Sequence, residues 1–189
     1  MNTPNMLTIS RMIITPIFLA FFLLPKIPFH FLIALILFIA GSLTDLFDGK
    51  IARRQGIVTN FGKFADPLAD KMLTTSAIIG FMAIGRCNPW VLFIILFREF
   101  AISSMRLVAA SDGIVIPANM WGKVKTTIQM VASIVIMLGL TFIYEFRFLP
   151  ETFPLDIIAN ILLWIMAAVT LISGVVYIYQ GTKLIDFKK

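Results

Sequence analysis

The chain has 189 residues, of which 59% are hydrophobic and 14% charged, and its formal net charge is +6. Its mean hydropathy of +0.95 lies well outside the range of soluble domains, which are about half apolar and a quarter charged. This composition predicts a membrane protein and excludes a cytosolic enzyme, a disordered chain and a secreted disulfide scaffold.

The apolar runs between charged residues predict six membrane-spanning helices in a single domain of residues 1–189. We expect these helices at 7–25, 30–53, 65–85, 88–110, 121–145 and 155–181. A helix needs about 20 residues to cross a hydrocarbon core of ~30 Å, so the shorter runs must include flanking polar residues. Proline and glycine mark three of the connections, at 25–28, 85–89 and 150–154. The predicted fold class is therefore an all-α integral membrane protein.

The distribution of lysine and arginine predicts the orientation. Six spans put both termini on one side, and of the 16 basic residues only Lys26, Arg86 and Arg147 fall on the other side. Cytoplasmic loops carry the excess of positive charge, so both termini are expected in the cytoplasm. The basic residues follow membrane boundaries and not a soluble module with stacking aromatics, so nucleic acid is not expected as a partner.

Polar chemistry in this chain must come from Asp, Glu, Lys and Arg. One cysteine, Cys87, cannot form an internal disulfide or a cysteine-based zinc site, and one histidine, His30, cannot supply histidine-rich metal chemistry. Four of the ten acidic residues lie between positions 45 and 70. They are Asp45, Asp48, Asp66 and Asp70.

The spacing of these aspartates predicts a metal site. The first two are three residues apart near the end of the second helix, and the last two are four apart at the start of the third, so each pair shares a helix face. Four carboxylates in one pocket at membrane depth would repel unless some are protonated or a cation neutralises them. Oxygen ligands favour Mg²⁺ or Mn²⁺, and two ions are expected.

An alternative is that the aspartates are solvated or paired with basic neighbours such as Lys50 and Lys63. Spacing alone does not separate the two interpretations. Small residues among the aspartates, namely Gly49, Ala52 and Gly62, favour a ligand site, because they let a backbone or a ligand approach closely. A salt-bridged surface has no such requirement.

The segment 45–70 resembles a family signature. It reads DLFDGKIAR, then eight residues, then GxxxDxxxD, and so matches DxxDGxxAR(x)8GxxxDxxxD at every fixed position. The chain is thereby similar to the CDP-alcohol phosphatidyltransferases. This resemblance implies a six-helix membrane enzyme, commonly a homodimer, with a divalent-metal site at the cytoplasmic interface. It also implies transfer of a phosphatidyl group from a CDP-linked lipid to an alcohol, with release of CMP.

The resemblance also implies roles for individual residues. Asp45, Asp48, Asp66 and Asp70 correspond to metal ligands, and Asp70 to the general base as well. Residues expected to bind the CDP-lipid are Asn5, Thr8, Gly49, Ala52, Arg53, Gly62 and Lys71. For three of these residues plainer interpretations stay open. Asn5 and Thr8 could cap the first helix. Lys71 could simply neutralise the aspartates.

Further motifs concern the acceptor alcohol. Segments 5–11, 98–100, 106–107 and 122–126 resemble the phosphatidylglycerophosphate synthases of this family, which implies glycerol 3-phosphate as acceptor. Phosphatidylglycerol and inositol phosphate are the alternatives. Four cations support a phosphorylated acceptor, because arginine on an apolar helix is costly unless it is paired or functional. They are Arg98, Arg106, Lys123 and Lys125.

Plainer interpretations of these cations stay open too. The two lysines could merely flank the fifth helix, and Arg98 could pair with Glu99. Gly122 suits a helix start, where free N–H groups could help to hold an anion.

A small carrier or channel is the alternative from another functional class, because charged residues inside a membrane also mark ion pathways. Against it, the carboxylates cluster at one end of the spans. The expected location is the bacterial inner membrane, with a polar active site facing the cytoplasm. The expected partners are the lipid bilayer, CDP-diacylglycerol, glycerol 3-phosphate and a second copy of the chain.

Overall fold

The computed structural model contains six α-helices in the residues that it describes, which are 3–55, 60–114, 116–117 and 119–183. At 3–4, 45–55, 60, 63–64 and 66 only the backbone is described. The helices are α1 (Thr3–Leu23), α2 (His30–Gln55), α3 (Asn60–Ala83), α4 (Pro89–Ser111), α5 (Met120–Tyr144) and α6 (Leu155–Thr182). The six predicted helices are confirmed. The largest difference is at α3, which begins at Asn60 and so places Asp66 and Asp70 inside the helix and not at its start.

Three of the described helices are long and apolar enough to cross a membrane: Asn5–Leu23 of α1, α5 and α6. The apolar part of α2, His30–Thr44, is shorter. Helix α4 has 23 residues, but Arg98, Glu99 and Arg106 interrupt its apolar sequence. Composition and these helices together identify an all-helical membrane protein.

The helices form two groups that meet at α5 and also where α3 contacts α4. Helix α1 packs against α2 and α3, while α6 packs against α4 and α5, and both α2 and α3 contact α5. Phenylalanine side chains fill the first group: the Phe22 ring lies 5.3 Å from that of Phe31 and 5.6 Å from that of Phe81, both edge-on. Gly80 makes room for this cluster, because a Cβ there would lie 2.7 Å from Cδ1 of Phe22.

Polar contacts join the connections at one end of the bundle. Arg86, between α3 and α4, lies 2.7 Å from the Asp156 carboxylate at the start of α6 and donates to the Tyr144 hydroxyl at the end of α5. Glu145 accepts hydrogen bonds from the backbone N–H groups of Phe31 (2.6 Å) and Leu32 (3.0 Å), in the first turn of α2. The ends of α3 and α5 therefore meet the starts of α2, α4 and α6, and consecutive helices run antiparallel.

Replacing Glu145 should destabilise the bundle, because its carboxylate satisfies two N–H groups that have no partner within α2. We expect Glu145→Ala to lower the free energy of unfolding by about 1–3 kcal/mol and Glu145→Gln by less. Thermal unfolding in detergent measures the difference. Glu151→Ala, at an exposed position of the same connection, is the control. Equal midpoints for the Glu145→Ala and Glu151→Ala proteins would contradict the capping role.

Candidate active site

A cavity of about 620 Å³ lies at the opposite end of the bundle, between α3, α4 and α5. Polar and charged side chains from all three helices form much of its wall: Asp70, Lys71, Arg98, Glu99, Arg106, Lys125 and Gln129. A second cavity of about 400 Å³ adjoins it on the side of α6 and shares Arg98 and Arg106. Its wall also includes Lys123 and Tyr177. The four cations predicted to hold the acceptor therefore line two adjoining cavities.

The Glu99 carboxylate is the centre of this cluster. Its Oε1 accepts from the Lys125 ammonium at 2.6 Å and from the Arg98 guanidinium at 3.0 Å, and its Oε2 lies 3.5 Å from Nζ of Lys71. Lys71 also donates a hydrogen bond to the hydroxyl of Ser103. Three cations, from α3, α4 and α5, thus converge on one carboxylate of α4.

Because these side chains are buried, their ion pairs are important for stability. The Glu99 side chain is 11% exposed and that of Lys125 is 7% exposed. An isolated charge at such a site would be costly, and removing one partner of a buried pair leaves the other uncompensated. The wall of the larger cavity has four cations against the two carboxylates of Glu99 and Asp70, so an excess of positive charge remains there. Such a wall favours an anionic ligand.

The Arg98 side chain also contacts α6. Its second terminal nitrogen donates to the Ser173 hydroxyl at 2.8 Å. Gly174 makes room for the side chain, because a Cβ there would lie 3.0 Å from Cγ of Arg98. Arg98 is therefore held by α6 as well as by Glu99, and its expected pairing with Glu99 is present.

Arg106 and Lys123 differ from the buried cations. Both are exposed, and neither has an ion-pair partner among the described residues. Lys125, one turn before Gln129, is buried inside the bundle and so is more than a charge flanking α5, whereas the position of Lys123 is compatible with a flanking role. Arg106 and Lys123 are therefore the cations of the cavity walls that have no ion pair within the described part of the chain.

Gly122 lies in the first turn of α5, but its own N–H group is not free. The helix begins at Met120, and its N-cap Asn119 accepts a hydrogen bond from the Gly122 N–H at 2.8 Å. Because the cap satisfies this donor, the Gly122 N–H is not free to hold an anion.

Asp70 is the one predicted metal ligand whose side chain is described. It is half-buried in the wall of the larger cavity, and the Thr74 hydroxyl donates to its backbone carbonyl at 3.2 Å. The backbone places Asp45 and Asp48 on α2 and Asp66 on α3, and these two helices pack against each other. The side chains of Asp45, Asp48 and Asp66, like the predicted nucleotide-binding residues Gly49, Ala52 and Arg53, lie outside the described ones.

The available donor chemistry fits a divalent ion. Four carboxylates on two contacting helices supply only oxygen ligands, which Mg²⁺ and Mn²⁺ prefer. Among the described side chains no group of three acidic, histidine or cysteine residues occurs, since three of the four expected ligands lie outside that set.

The N-terminal residues also differ from the capping interpretation. Helix α1 begins at Thr3, so Asn5 and Thr8 lie within its first two turns and neither is its N-cap. Thr8 is fully buried, and Gly62 is buried on α3, which packs against α1. Arg11, which belongs to the 5–11 segment and was given no individual role from the sequence, is 1% exposed and so fully buried in the bundle.

Two residues of the larger cavity were not assigned a functional role from sequence. Glu99 was considered only within the 98–100 segment and as a partner for Arg98, and Gln129 was not considered. A sequence signal existed for Gln129, because it lies four residues after Lys125 and so shares its face of α5.

Comparisons with known proteins agree with the signature. The family model described as CDP-alcohol phosphatidyltransferase matches residues 1–172. A Bacillus subtilis protein named CDP-diacylglycerol–glycerol-3-phosphate 3-phosphatidyltransferase is 39% identical over 92% of this chain and 91% of its own. One of the same name from Rickettsia felis is 38% identical over 93% of each chain. A Mycobacterium tuberculosis protein named probable phosphatidylglycerophosphate synthase is 37% identical over 96% of this chain and 82% of its own.

A double-mutant cycle tests the central ion pair of the site. Glu99→Gln should lower the free energy of unfolding by about 3 kcal/mol, because it leaves Lys125 and Arg98 buried without a counter-charge. Adding Lys125→Met should recover a substantial part of this loss, because it removes one of the uncompensated charges. Thermal unfolding in detergent gives the four midpoints. Asp112→Asn, at the exposed C-cap of α4, is the control. Purely additive losses in the double variant would argue against the pair.

Proposed function

This chain belongs to the CDP-alcohol phosphatidyltransferase family, and we propose that it transfers the phosphatidyl group of CDP-diacylglycerol to glycerol 3-phosphate, with release of CMP. The names of the Bacillus and Rickettsia relatives support this donor and this acceptor. The observation that carries the proposal is one cavity that combines the Asp70 carboxylate with Arg98, Arg106 and Lys125. To react as the acceptor, a phosphorylated alcohol requires a group that takes its hydroxyl proton and a group that binds its phosphate.

The acceptor phosphate is assigned to the cationic part of the cavity. Arg106 supplies a guanidinium, whose planar fork matches phosphate oxygens, and Lys125 and Arg98 supply charge that Glu99 holds in place. Lys123 adds charge from the adjoining cavity. Inositol phosphate would use the same cations, and phosphatidylglycerol would offer a diester of lower charge. A dianionic phosphate fits the excess positive charge best.

The donor is assigned to the neighbouring region of α1, α2 and α3. Asn5, Thr8, Gly49, Ala52, Arg53, Gly62 and Lys71 are proposed to bind the CDP-lipid. Of these, Lys71 also contacts Glu99, which would connect the donor and acceptor regions. Asp45, Asp48, Asp66 and Asp70 would hold two divalent ions, Mg²⁺ or Mn²⁺. When bound, such ions neutralise charge that develops on the diphosphate.

Asp70 is proposed to accept the proton of the attacking hydroxyl. The acceptor oxygen forms a bond to the phosphorus of the phosphatidyl group, the bond from that phosphorus to the CMP oxygen breaks, and CMP leaves. The proton of the hydroxyl passes to the Asp70 carboxylate. The cations of α4 and α5 orient the acceptor by its phosphate, so that its free hydroxyl lies on the side of Asp70.

The proposed setting is a bacterial inner membrane that all six helices cross. The chain would form one domain over residues 1–189, with both termini and the active site on the cytoplasmic side, and would assemble as a homodimer. The positive charge near the cavity end of the bundle supports this orientation. The antiparallel helices support an even number of crossings.

Cysteine labelling tests the orientation. Burial raises the pKa of the native Cys87 thiol to about 11, so at neutral pH it stays protonated and reacts slowly with maleimides. New cysteines at exposed positions should therefore give the signal. In spheroplasts we expect an impermeant maleimide to label Glu151→Cys directly and Asp112→Cys only after permeabilisation. The reverse pattern would overturn the proposed orientation, and the wild-type chain gives the background.

Arg106 tests the activity and the acceptor pocket together. Purified protein should release CMP from CDP-diacylglycerol only when a phosphorylated alcohol such as glycerol 3-phosphate and a divalent ion are both present. A charge-assisted contact to phosphate is worth about 1.5–3 kcal/mol, so Arg106→Ala should raise the KM for glycerol 3-phosphate roughly ten- to a hundredfold. The KM for CDP-diacylglycerol should hardly change. Arg106→Lys should recover part of the loss, since an ammonium keeps the charge without the fork.

Steady-state kinetics with each substrate varied in turn give these values. Arg147→Ala, which removes an exposed arginine at the opposite end of the bundle, is the matched control and should leave both KM values unchanged. An unchanged KM for glycerol 3-phosphate in Arg106→Ala would remove this residue from the pocket. A wild-type enzyme that prefers an unphosphorylated alcohol would contradict the choice of acceptor, and CMP release without any acceptor alcohol would contradict the transferase assignment.

A further inference from the structure

Gln129 is a buried amide at the wall of the larger cavity. Its side chain is 1% exposed, and it borders the cavity together with Asp70, Arg106 and Lys125. Within the part of the chain that the structure describes, neither Nε2 nor Oε1 of Gln129 has a hydrogen-bond partner. Buried side-chain amides are normally bonded, so this one stands out.

The surroundings do not explain the unsatisfied amide. The backbone carbonyl of Gln129 accepts from the Ser133 hydroxyl at 2.8 Å, so the residue is well bonded within α5 apart from its side chain. The nearby Lys125 and Arg98 side chains both bond to Glu99, and neither forms a hydrogen bond with the amide. A buried unsatisfied amide destabilises a protein, so a partner that arrives with a ligand is a physical reason for keeping it.

The chemistry of an amide indicates what that partner is. An amide is neutral, and it offers an acceptor oxygen and a donor NH₂ side by side. A hydroxyl group donates to the first and accepts from the second. A phosphate offers only hydrogen-bond acceptors, so the cationic donors Arg106 and Lys125 suit it better than an amide does. Gln129 therefore suits the alcohol part of the acceptor.

The position on α5 agrees with this division. Four residues of helix rise about 6 Å, so Gln129 lies one turn from Lys125 on the same face, deeper along α5 from the helix start. A three-carbon phosphorylated alcohol spans a similar length. With its phosphate at Lys125 and Arg106, its hydroxyl groups come within range of Gln129 and of Asp70, which lines the same cavity.

We propose that Gln129 determines acceptor specificity by bonding the hydroxyl of glycerol 3-phosphate that does not react. Asp70 receives the proton of the reacting hydroxyl, and Gln129 forms hydrogen bonds with the other hydroxyl. This inference rests on the proposed function and adds a residue that discriminates between phosphorylated alcohols. A site that pairs with a substrate hydroxyl rejects the analogue without it, because its own polar group then stays unpaired.

The test compares two acceptors in two proteins. The acceptors are glycerol 3-phosphate and 3-hydroxypropyl phosphate, which lacks the middle hydroxyl, and the proteins are the wild type and Gln129→Met. The wild type should prefer glycerol 3-phosphate by about tenfold in kcat/KM. Gln129→Met should reduce this preference to about twofold or less by losing activity toward glycerol 3-phosphate alone. Its kcat/KM for the deoxy acceptor and its KM for CDP-diacylglycerol should not change.

Stability separates this role from a structural one. Methionine has a similar shape and leaves no amide unsatisfied, so the melting temperature of ligand-free Gln129→Met should be equal to or above that of the wild type. A lower melting temperature would indicate that the amide is bonded within the protein and would overturn the inference. Thr170→Val is the matched control, because the Thr170 hydroxyl is also buried without a partner among the described residues but lies outside both cavity walls. It should leave the acceptor preference unchanged.

The remaining outcomes are distinct. If the kcat/KM of Gln129→Met falls by the same factor with both acceptors, or if the variant keeps the wild-type preference, Gln129 does not bind the second hydroxyl. If the wild type is active but does not discriminate between the acceptors, the inference also fails while the proposed function stands. If the wild type releases no CMP with either acceptor, the proposed function fails and the inference fails with it.

Discussion

Glu99 places a carboxylate inside an apolar bundle, where an unpaired charge is expensive, and three cations make that burial tolerable. The partners come from α3, α4 and α5, and Arg98 extends the network to Ser173 on α6. Four helices are thereby tied together at one end by groups that cannot separate without exposing a charge to an apolar surrounding. Four cations are proposed to bind the acceptor phosphate. The positions of two of them, Arg98 and Lys125, depend on this carboxylate.

The same interaction decides the electrostatics of the cavity. Two carboxylates, those of Glu99 and Asp70, among four cations leave the wall positive, and the low dielectric of the bundle strengthens the effect. Glu99 therefore holds Lys125 and Arg98 in place without cancelling their charge. At the other end of the bundle, Glu145 and Arg86 join the connections in a comparable way. With both ends fixed and a phenylalanine core between them, the site is built on rigid elements, as precise positioning of a substrate requires.

Much of the fold followed from the sequence, because charge-free runs and proline or glycine at the connections determine where apolar helices begin and end. The aspartate signature also identified the family, since its fixed residues belong to one local segment that spans α2 and α3. The helix starts were less predictable. Asn60 and Gly62 precede the expected start of the third helix at residue 65, yet they form the first turn of α3.

The arrangement of side chains around the cavity could not be predicted from the sequence. Glu99 and Lys125 are 26 residues apart, and Lys71 and Glu99 are 28 apart, so no local pattern shows that they meet. For the same reason Lys71, which directly follows Asp70, could not be linked to the acceptor cations. Asn119 is a common N-cap residue, but the bond that removes the Gly122 N–H depends on the exact start of α5. The burial of Arg11 likewise depends on which face of α1 packs against α2 and α3.

The central claim is that one cavity holds both the acceptor phosphate and the group that takes its proton. An experimental structure of the protein in lipid nanodiscs with glycerol 3-phosphate bound tests this most directly. The account predicts that the phosphate contacts Arg106 and Lys125, and that a hydroxyl of the same molecule lies within hydrogen-bond distance of the Asp70 carboxylate or of an ion bound to it. Glycerol 3-phosphate bound outside this cavity, or bound in it with its hydroxyl groups pointing away from Asp70, would contradict the account.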